Sequence, residues 1–101
     1  MPTEARAVAA AEPFGTWLRG ERAARGWSQQ ELAGRLGVSA PLLSKVESGE
    51  RSLPLDAYDA LAEALGQDAD VVRLRAGVVP ERVLARLRAE PEAALRWAGR
   101  G

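Results

Sequence analysis

Apolar side chains recur every three or four positions along most of this chain, a spacing that predicts a series of short α-helices. Tyr58, Leu61 and Leu65 show the pattern clearly, because residues three or four apart lie on one face of a helix. β-Branched residues are sparse and no segment alternates apolar and polar side chains, so strands are not expected. The predicted helices are 13–25, 28–36, 39–47, 54–65, 69–76, 80–89 and 91–98.

The second and third predicted helices carry the most specific local signal. Ser28 is followed three positions later by Glu31, the pairing of a capping box, in which each side chain accepts a hydrogen bond from the other residue's backbone N–H. Gly37 then ends the helix, because glycine readily takes the positive φ that a sharp turn requires. Ser39 is positioned to cap the next helix. Two short helices joined by so tight a turn are typical of a helix-turn-helix, with an ordinary helical hairpin as the alternative.

Composition narrows the classes of function. The 101 residues suit a single domain, and 47% hydrophobic with 28% charged residues is typical of a globular chain. The chain has no cysteine and no histidine. This excludes disulfides, thiolate nucleophiles, imidazole metal ligands and the Ser-His and Cys-His catalytic pairs. We therefore predict no enzyme, no metal and no cofactor.

The charge is balanced, with 14 basic and 14 acidic residues spread over both halves of the chain. Nucleic-acid binders usually carry a positive excess, so DNA binding would have to come from a local basic patch. No stretch approaches the ~18 apolar residues of a membrane span. The N-terminal residues also lack the pattern of a signal peptide. These features predict a soluble, cytoplasmic protein without membrane contact.

The run WSQQELAGRLGVSAPLLSKVESGERSLPLDAYDALAEALG, residues 27–66, resembles the helix-turn-helix of Cro and phage repressors, the XRE-like family. The capping box, the turn after Leu36 and the Glu47-Ser48-Gly49 ending fall in register, and the likeness covers about residues 14–76. The resemblance implies an all-α, five-helix, repressor-like DNA-binding domain, here with a short C-terminal helical extension. It also implies a nucleoid-associated transcriptional repressor whose third helix enters the major groove of a palindromic, double-stranded operator.

The resemblance also implies roles for individual residues. Arg22 on the first helix is expected to form a structural ion pair with Glu47 at the end of the third. The residues expected to contact DNA are Gln29, Ser39, Ala40, Pro41, Ser44, Lys45, Arg51 and Ser52.

Four positions depart from the family's usual pattern, and one of them is Glu21, which is charged where related sequences tend to be apolar. Ala40 and Pro41 are apolar where a polar, base-reading side chain is common, so they can offer only apolar contact, for instance to a thymine methyl group. Glu50 is acidic where a basic residue is frequent, and it would repel phosphate. These departures favour recognition by Ser44 and Lys45, or by DNA shape.

The chain is expected to divide into a loose, Ala-rich arm at 1–12, the DNA-binding domain at 13–77 and a helical extension at 78–101. The extension has more apolar surface than a short arm can bury on so small a domain, and a contiguous exposed apolar patch usually marks an interface. Trp97 is interpreted as a packing residue. We expect a homodimer, because two half-sites need two reading helices. Alternatives are an antitoxin-type protein that captures a partner protein through 78–101, a tail folded back as extra core, and an interaction domain without DNA binding. The expected dimer residues are Val83, Leu84, Leu87 and Leu95.

Overall fold

The computed structural model describes residues 12–100, so nearly all of the arm predicted at 1–12 lies outside the described residues. Within this part of the chain every regular element is a helix, which confirms the all-α fold class. None of these helices is long and apolar enough to cross a membrane. The helices are α1 (Phe14–Ala24), α2 (Gln29–Leu36), α3 (Ala40–Glu47), α4 (Ala57–Leu65), α5 (Ala69–Arg75), α6 (Glu81–Ala89) and α7 (Pro91–Arg100).

The helices fall into two compact units. The first is Pro13–Val78 and contains α1–α5. The second includes the chain from Val79 onward and contains α6 and α7. We call the part from Val79 onward the tail.

A single apolar core holds the five helices of the first unit together. Each helix contributes a leucine or valine that is completely buried, and burying one such side chain stabilises a fold by ~1.5–3 kcal/mol. The core therefore fixes the positions of all five helices relative to one another. These side chains are Leu18 from α1, Leu32 from α2, Leu43 from α3, Leu61 from α4 and Val72 from α5.

The fourth helix begins later than the sequence pattern predicts. The apolar spacing places its start at Pro54, but the structure has a turn there, closed by a hydrogen bond from Ala57 N–H to the Pro54 carbonyl at 3.0 Å. Leu55, which the periodicity assigns to the apolar face, is 70% exposed, whereas Leu53 is buried. The loop that ends the helix-turn-helix is thus anchored by Leu53 and extends to Asp56.

The tail forms two consecutive helices without a buried residue. In α6 and α7 the apolar side chains are at most half-buried, and no residue from 79 to 99 is fully buried. Trp97 is 82% exposed and Leu95 is 71% exposed, so the interpretation of Trp97 as a packing residue is wrong for this structure. Helices this short are marginal in water unless an apolar face is covered. The tail therefore has no core of its own.

Candidate DNA-binding site

The geometry of the helix-turn-helix follows from its two serine caps and one glycine. Ser28 Oγ accepts from the Glu31 N–H at 3.0 Å, and the Glu31 carboxylate accepts from the Ser28 N–H at 2.8 Å, which confirms the predicted capping box. Hydrogen bonding to the carboxylate, first from the Ser28 N–H and then from the Ser28 side chain, lowers the pKa of Glu31 below its ordinary value. Gly37 ends α2 with φ of 72°, and Ser39 Oγ accepts from the Leu42 N–H at 3.1 Å to start α3. The turn between the helices is therefore only three residues long.

One face of α3 is free of the core and points outward. Pro41, Ser44 and Lys45 are all exposed, and their spacing of three and four residues places them on one side of the helix. Ala40, at the start of the same helix, is half-buried against the core. The structure thus brings four of the residues expected to contact DNA onto one short helix.

The loop after α3 folds back onto the end of that helix. The N–H groups of Glu50 and Arg51 both donate to the Lys45 carbonyl, at 2.9 and 3.3 Å. These hydrogen bonds hold the backbone of the loop next to Lys45, and the side chains of Arg51 and Ser52 are exposed. Glu50 brings a negative charge to the same loop, where it accepts a hydrogen bond from Ser48 Oγ at 2.8 Å. The end of α3 and the loop after it therefore expose two basic side chains, Lys45 and Arg51, and one acidic side chain, Glu50.

A buried carboxylate fixes the far end of α3. The Glu47 side chain is 0% exposed, and it accepts from Arg22 Nε at 2.7 Å and from Arg22 Nη2 at 3.0 Å. Arg22 also donates to the Trp27 carbonyl at 2.8 Å, so a single guanidinium joins α1, α3 and the residue before the capping box. Two parallel hydrogen bonds from one guanidinium give the pair a fixed geometry that Lys could not copy.

The charge state of Glu47 reflects these contacts. Burial by itself raises the pKa of a carboxyl group. Here the hydrogen bonds from Arg22 and Gln29, with the positive charges of Arg22 and Arg19, outweigh burial and leave the pKa of Glu47 below its ordinary value. The same hydrogen bond raises the pKa of Arg22. Both groups are therefore charged in the folded protein near neutral pH.

Gln29 is placed differently from the other residues expected to contact DNA. It is half-buried, and its amide nitrogen donates to Glu47 Oε1 at 3.0 Å. The first residue of α2 is thereby linked to the last residue of α3. No local pattern in the sequence indicates this contact, because it joins residues 18 positions apart on two helices.

Gly15 is a structural residue that sequence reasoning missed. It is buried in α1, where a Cβ would meet the carbonyl oxygen of Val46 and lie 2.5 Å from that of Glu47. The backbone of α1 therefore lies directly against the end of α3. No periodicity reveals such an approach, and the only signal is a glycine beside Trp17 and Leu18 on the buried face of a helix.

Metal chemistry has no visible basis in residues 12–100. No group of three or more Asp or Glu side chains there is close enough to hold a metal ion. The site consists of a helix with an exposed polar and basic face, held at its far end by a buried ion pair.

These features define a helix-turn-helix domain, and the comparisons with known proteins agree. Residues 13–76, more than half of the chain, match the helix-turn-helix domain family, and the chain belongs to it. The resemblance to XRE-like regulators is thereby confirmed. The family binds DNA to regulate transcription and is not enzymatic.

Two curated relatives come from Mycobacterium tuberculosis, strains CDC 1551/Oshkosh and H37Rv, and both are described as uncharacterized HTH-type transcriptional regulators. Each is 40% identical over 65 residues, which is 64% of this chain and 46% of the relative. The matched region thus spans about half the length of these relatives.

A solved structure is similar over most of the chain. It is the crystal structure of the clp gene regulator ClgR from Corynebacterium glutamicum, with 26% sequence identity and a TM-score of 0.55. The match covers 90% of this chain and 95% of ClgR. A match of that extent must include part of the chain after residue 76.

Proposed function

We propose that this protein is a sequence-specific, cytoplasmic repressor that acts on the nucleoid by inserting α3 into the major groove of a palindromic operator. The observation that carries the proposal is the exposed face of Pro41, Ser44 and Lys45 on a helix whose far end is locked by Glu47. A rigid helix that presents polar and basic side chains outward suits base reading in the major groove.

The contacts with DNA divide into two kinds. Lys45 is assigned to the acceptor atoms of guanine and Ser44 to a base edge, while Ala40 and Pro41 offer apolar contact to a thymine methyl group. Gln29, Ser39, Arg51 and Ser52 are assigned to phosphates, which position the domain without reading sequence. Glu50 lies in the same loop as Arg51, and its negative charge weakens the contact with phosphate.

Replacing Lys45 by Ala tests base reading. We expect the variant to lose roughly 1–3 kcal/mol of binding free energy for its best operator and to discriminate less between operators, because a guanine contact is removed. Fluorescence anisotropy with the operator and with scrambled duplexes measures both quantities. Arg51→Ala is the comparison, since loss of a phosphate contact should weaken binding to every duplex alike. Unchanged affinity and preference in Lys45→Ala would show that α3 does not read the operator.

The tail is assigned to dimerisation. Its two helices have no core of their own, and their apolar side chains at Leu87 and Leu95 are exposed. Two tails could form a four-helix bundle that buries these faces, together with the half-buried Val83 and Leu84. A two-fold dimer would place two α3 helices on two half-sites and double the number of phosphate contacts, which a chain of zero net charge needs.

Replacing Leu95 by Asp tests the dimer in the 101-residue chain. The new charge would have to be buried in the interface, so we expect a monomer that keeps its helical content and binds a palindrome far more weakly. Light scattering and sedimentation measure the mass. Leu74→Asp is the matched control, since Leu74 is an exposed leucine of α5 in the first unit and its replacement should leave the mass unchanged. A wild-type monomer that binds a palindrome as one unit would contradict the dimer.

A second candidate function is an antitoxin-type role, in which the tail captures a partner protein. One observation favours it: α6 and α7 form an open apolar groove that a helix of another protein would fit. Purification from the native cell separates the two, because a stoichiometric second protein on the tail supports capture and a pure two-fold dimer supports self-association. The groove is lined by Leu87, Pro91, Ala94, Leu95, Trp97 and Ala98.

A further inference from the structure

Two arginines lie beside the buried carboxylate of Glu47, but only one of them is hydrogen-bonded to it. Arg22 donates two hydrogen bonds to the Glu47 carboxylate, at 2.7 and 3.0 Å. Arg19 Nε is 3.6 Å from Oε1, too far for a hydrogen bond, and its side chain is 57% exposed. One carboxylate thus faces two guanidinium groups, and the positive charge that remains is on the exposed arginine.

Arg19 and Gln29 both contact the same oxygen of Glu47, Oε1, so their side chains lie close together. Glu47 Oε1 also accepts from Gln29 Nε2 at 3.0 Å. Because both contacts end on the same oxygen, Arg19 Nε and Gln29 Nε2 can be no farther apart than the sum of 3.6 and 3.0 Å. The Gln29 amide has a second hydrogen, and the guanidinium of Arg19 has four more besides that on Nε. Donor groups from α1 and α2 therefore lie close to each other beside Glu47.

We propose that Arg19 is a further phosphate-binding residue, which acts with Gln29 to clamp one phosphate of the DNA backbone beside the start of α2. The inference rests on the proposed DNA-binding function and adds a residue on α1 to its interface. A phosphate is the fitting ligand because it carries negative charge and several acceptor oxygens, which a guanidinium and an amide can share. Arg19 keeps its loose contact with Glu47, which holds the side chain near Gln29 before DNA arrives.

The competing explanation is that Arg19 only helps to neutralise Glu47. That role would be small, since an ion pair with one largely exposed partner contributes little to stability. Arg22 already donates two hydrogen bonds to Glu47 and supplies the positive charge that balances its carboxylate. The two explanations differ in what they predict: a structural role affects unfolding, whereas a phosphate contact affects the salt dependence of DNA binding.

The test compares wild type, Arg19→Ala, Arg19→Lys and the control Arg88→Ala, an exposed arginine of α6. Binding to one duplex is measured over a series of salt concentrations. For each bound protomer, loss of one phosphate contact should weaken binding by Arg19→Ala about tenfold and reduce the slope of log K against log salt by about 0.9, and a dimer on a palindrome loses two such contacts. Arg19→Lys should keep most of the affinity, because it keeps the charge. Arg88→Ala should behave as wild type, and the melting temperature should be the same in all four proteins.

Two results would overturn the inference. If wild type and Arg19→Ala share the same salt slope, while Lys45→Ala still loses operator preference, Arg19 is not at the phosphate and the proposed function stands. If Arg19→Ala lowers the melting temperature without changing the slope, its role is structural. A wild-type protein that binds no duplex would instead overturn the proposed function itself.

Discussion

Replacing Glu47 by Ala is expected to lower the free energy of unfolding by roughly 3–5 kcal/mol, the cost of removing one partner from a buried ion pair. The variant leaves Arg22 only 16% exposed and without its carboxylate, and it removes the acceptor for Gln29. A loss of this size is a large fraction of the stability of a small domain. Urea unfolding followed by circular dichroism measures it. The end of α3 would also be released, so DNA binding should fall even where the variant is folded.

The matched control for this variant is Glu63→Ala, which removes an exposed carboxylate from α4 and should change stability by no more than ~0.5 kcal/mol.

The dependence of stability on pH gives a second check on the role of Glu47. The pKa of Glu47 is lower in the folded protein than its ordinary value of 4.5, so the unfolded chain takes up the proton first. The contribution of Glu47 is therefore present above about pH 4.5 and is lost as the pH falls through the folded pKa. Equal acid sensitivity in wild type and Glu47→Ala would contradict this assignment.

Gly15→Ala is expected to have the second largest effect, a loss of roughly 1–3 kcal/mol or more, because one added methyl group would collide with the carbonyls of Val46 and Glu47. These are backbone atoms at the end of α3, and they cannot move aside without moving the helix. The variant should therefore lose operator discrimination as well as stability. Thermal unfolding and operator binding, measured on the same preparation, test both.

The same helix provides the control for this prediction. Gly20 lies in α1, and a methyl group added there would have no neighbouring atom within 4 Å, so Gly20→Ala should meet no obstacle. Alanine favours a helix interior over glycine by roughly 1 kcal/mol, and this variant should be more stable than wild type. A stabilising Gly15→Ala would show that α1 and α3 are not in close contact.

The local parts of the site could be predicted from sequence because neighbouring residues determine them. The capping box of Ser28 and Glu31, the cap at Ser39 and the positive φ of Gly37 all depend on residues within four positions. The bounds of α1, α5 and α6 lie within about a residue of their predicted bounds for the same reason. Apolar periodicity also identified Tyr58, Leu61 and Leu65 as residues of the buried face of α4.

Features that depend on contact between distant segments could not be predicted in the same way. Gly15 and Gln29 both lie against the end of α3, and no periodicity around either residue indicates those contacts. The late start of α4 has a similar cause, because Leu53 rather than Leu55 is the residue that packs into the core. The exposure of Trp97 could not be predicted, because helical spacing does not show whether an apolar face is covered by the same chain.

The exposed lysine on α3 has a chemical consequence. Lys45 is the one lysine of the whole chain, so it carries the only side-chain amine. Acetylation of that amine removes its charge and leaves a neutral amide on the outward face of α3. Acylating chemistry that elsewhere spreads over many surface lysines is thus concentrated on the helix assigned to base reading. In the proposed complex with DNA, acylation of that one atom would remove a positive charge from the helix that faces the operator.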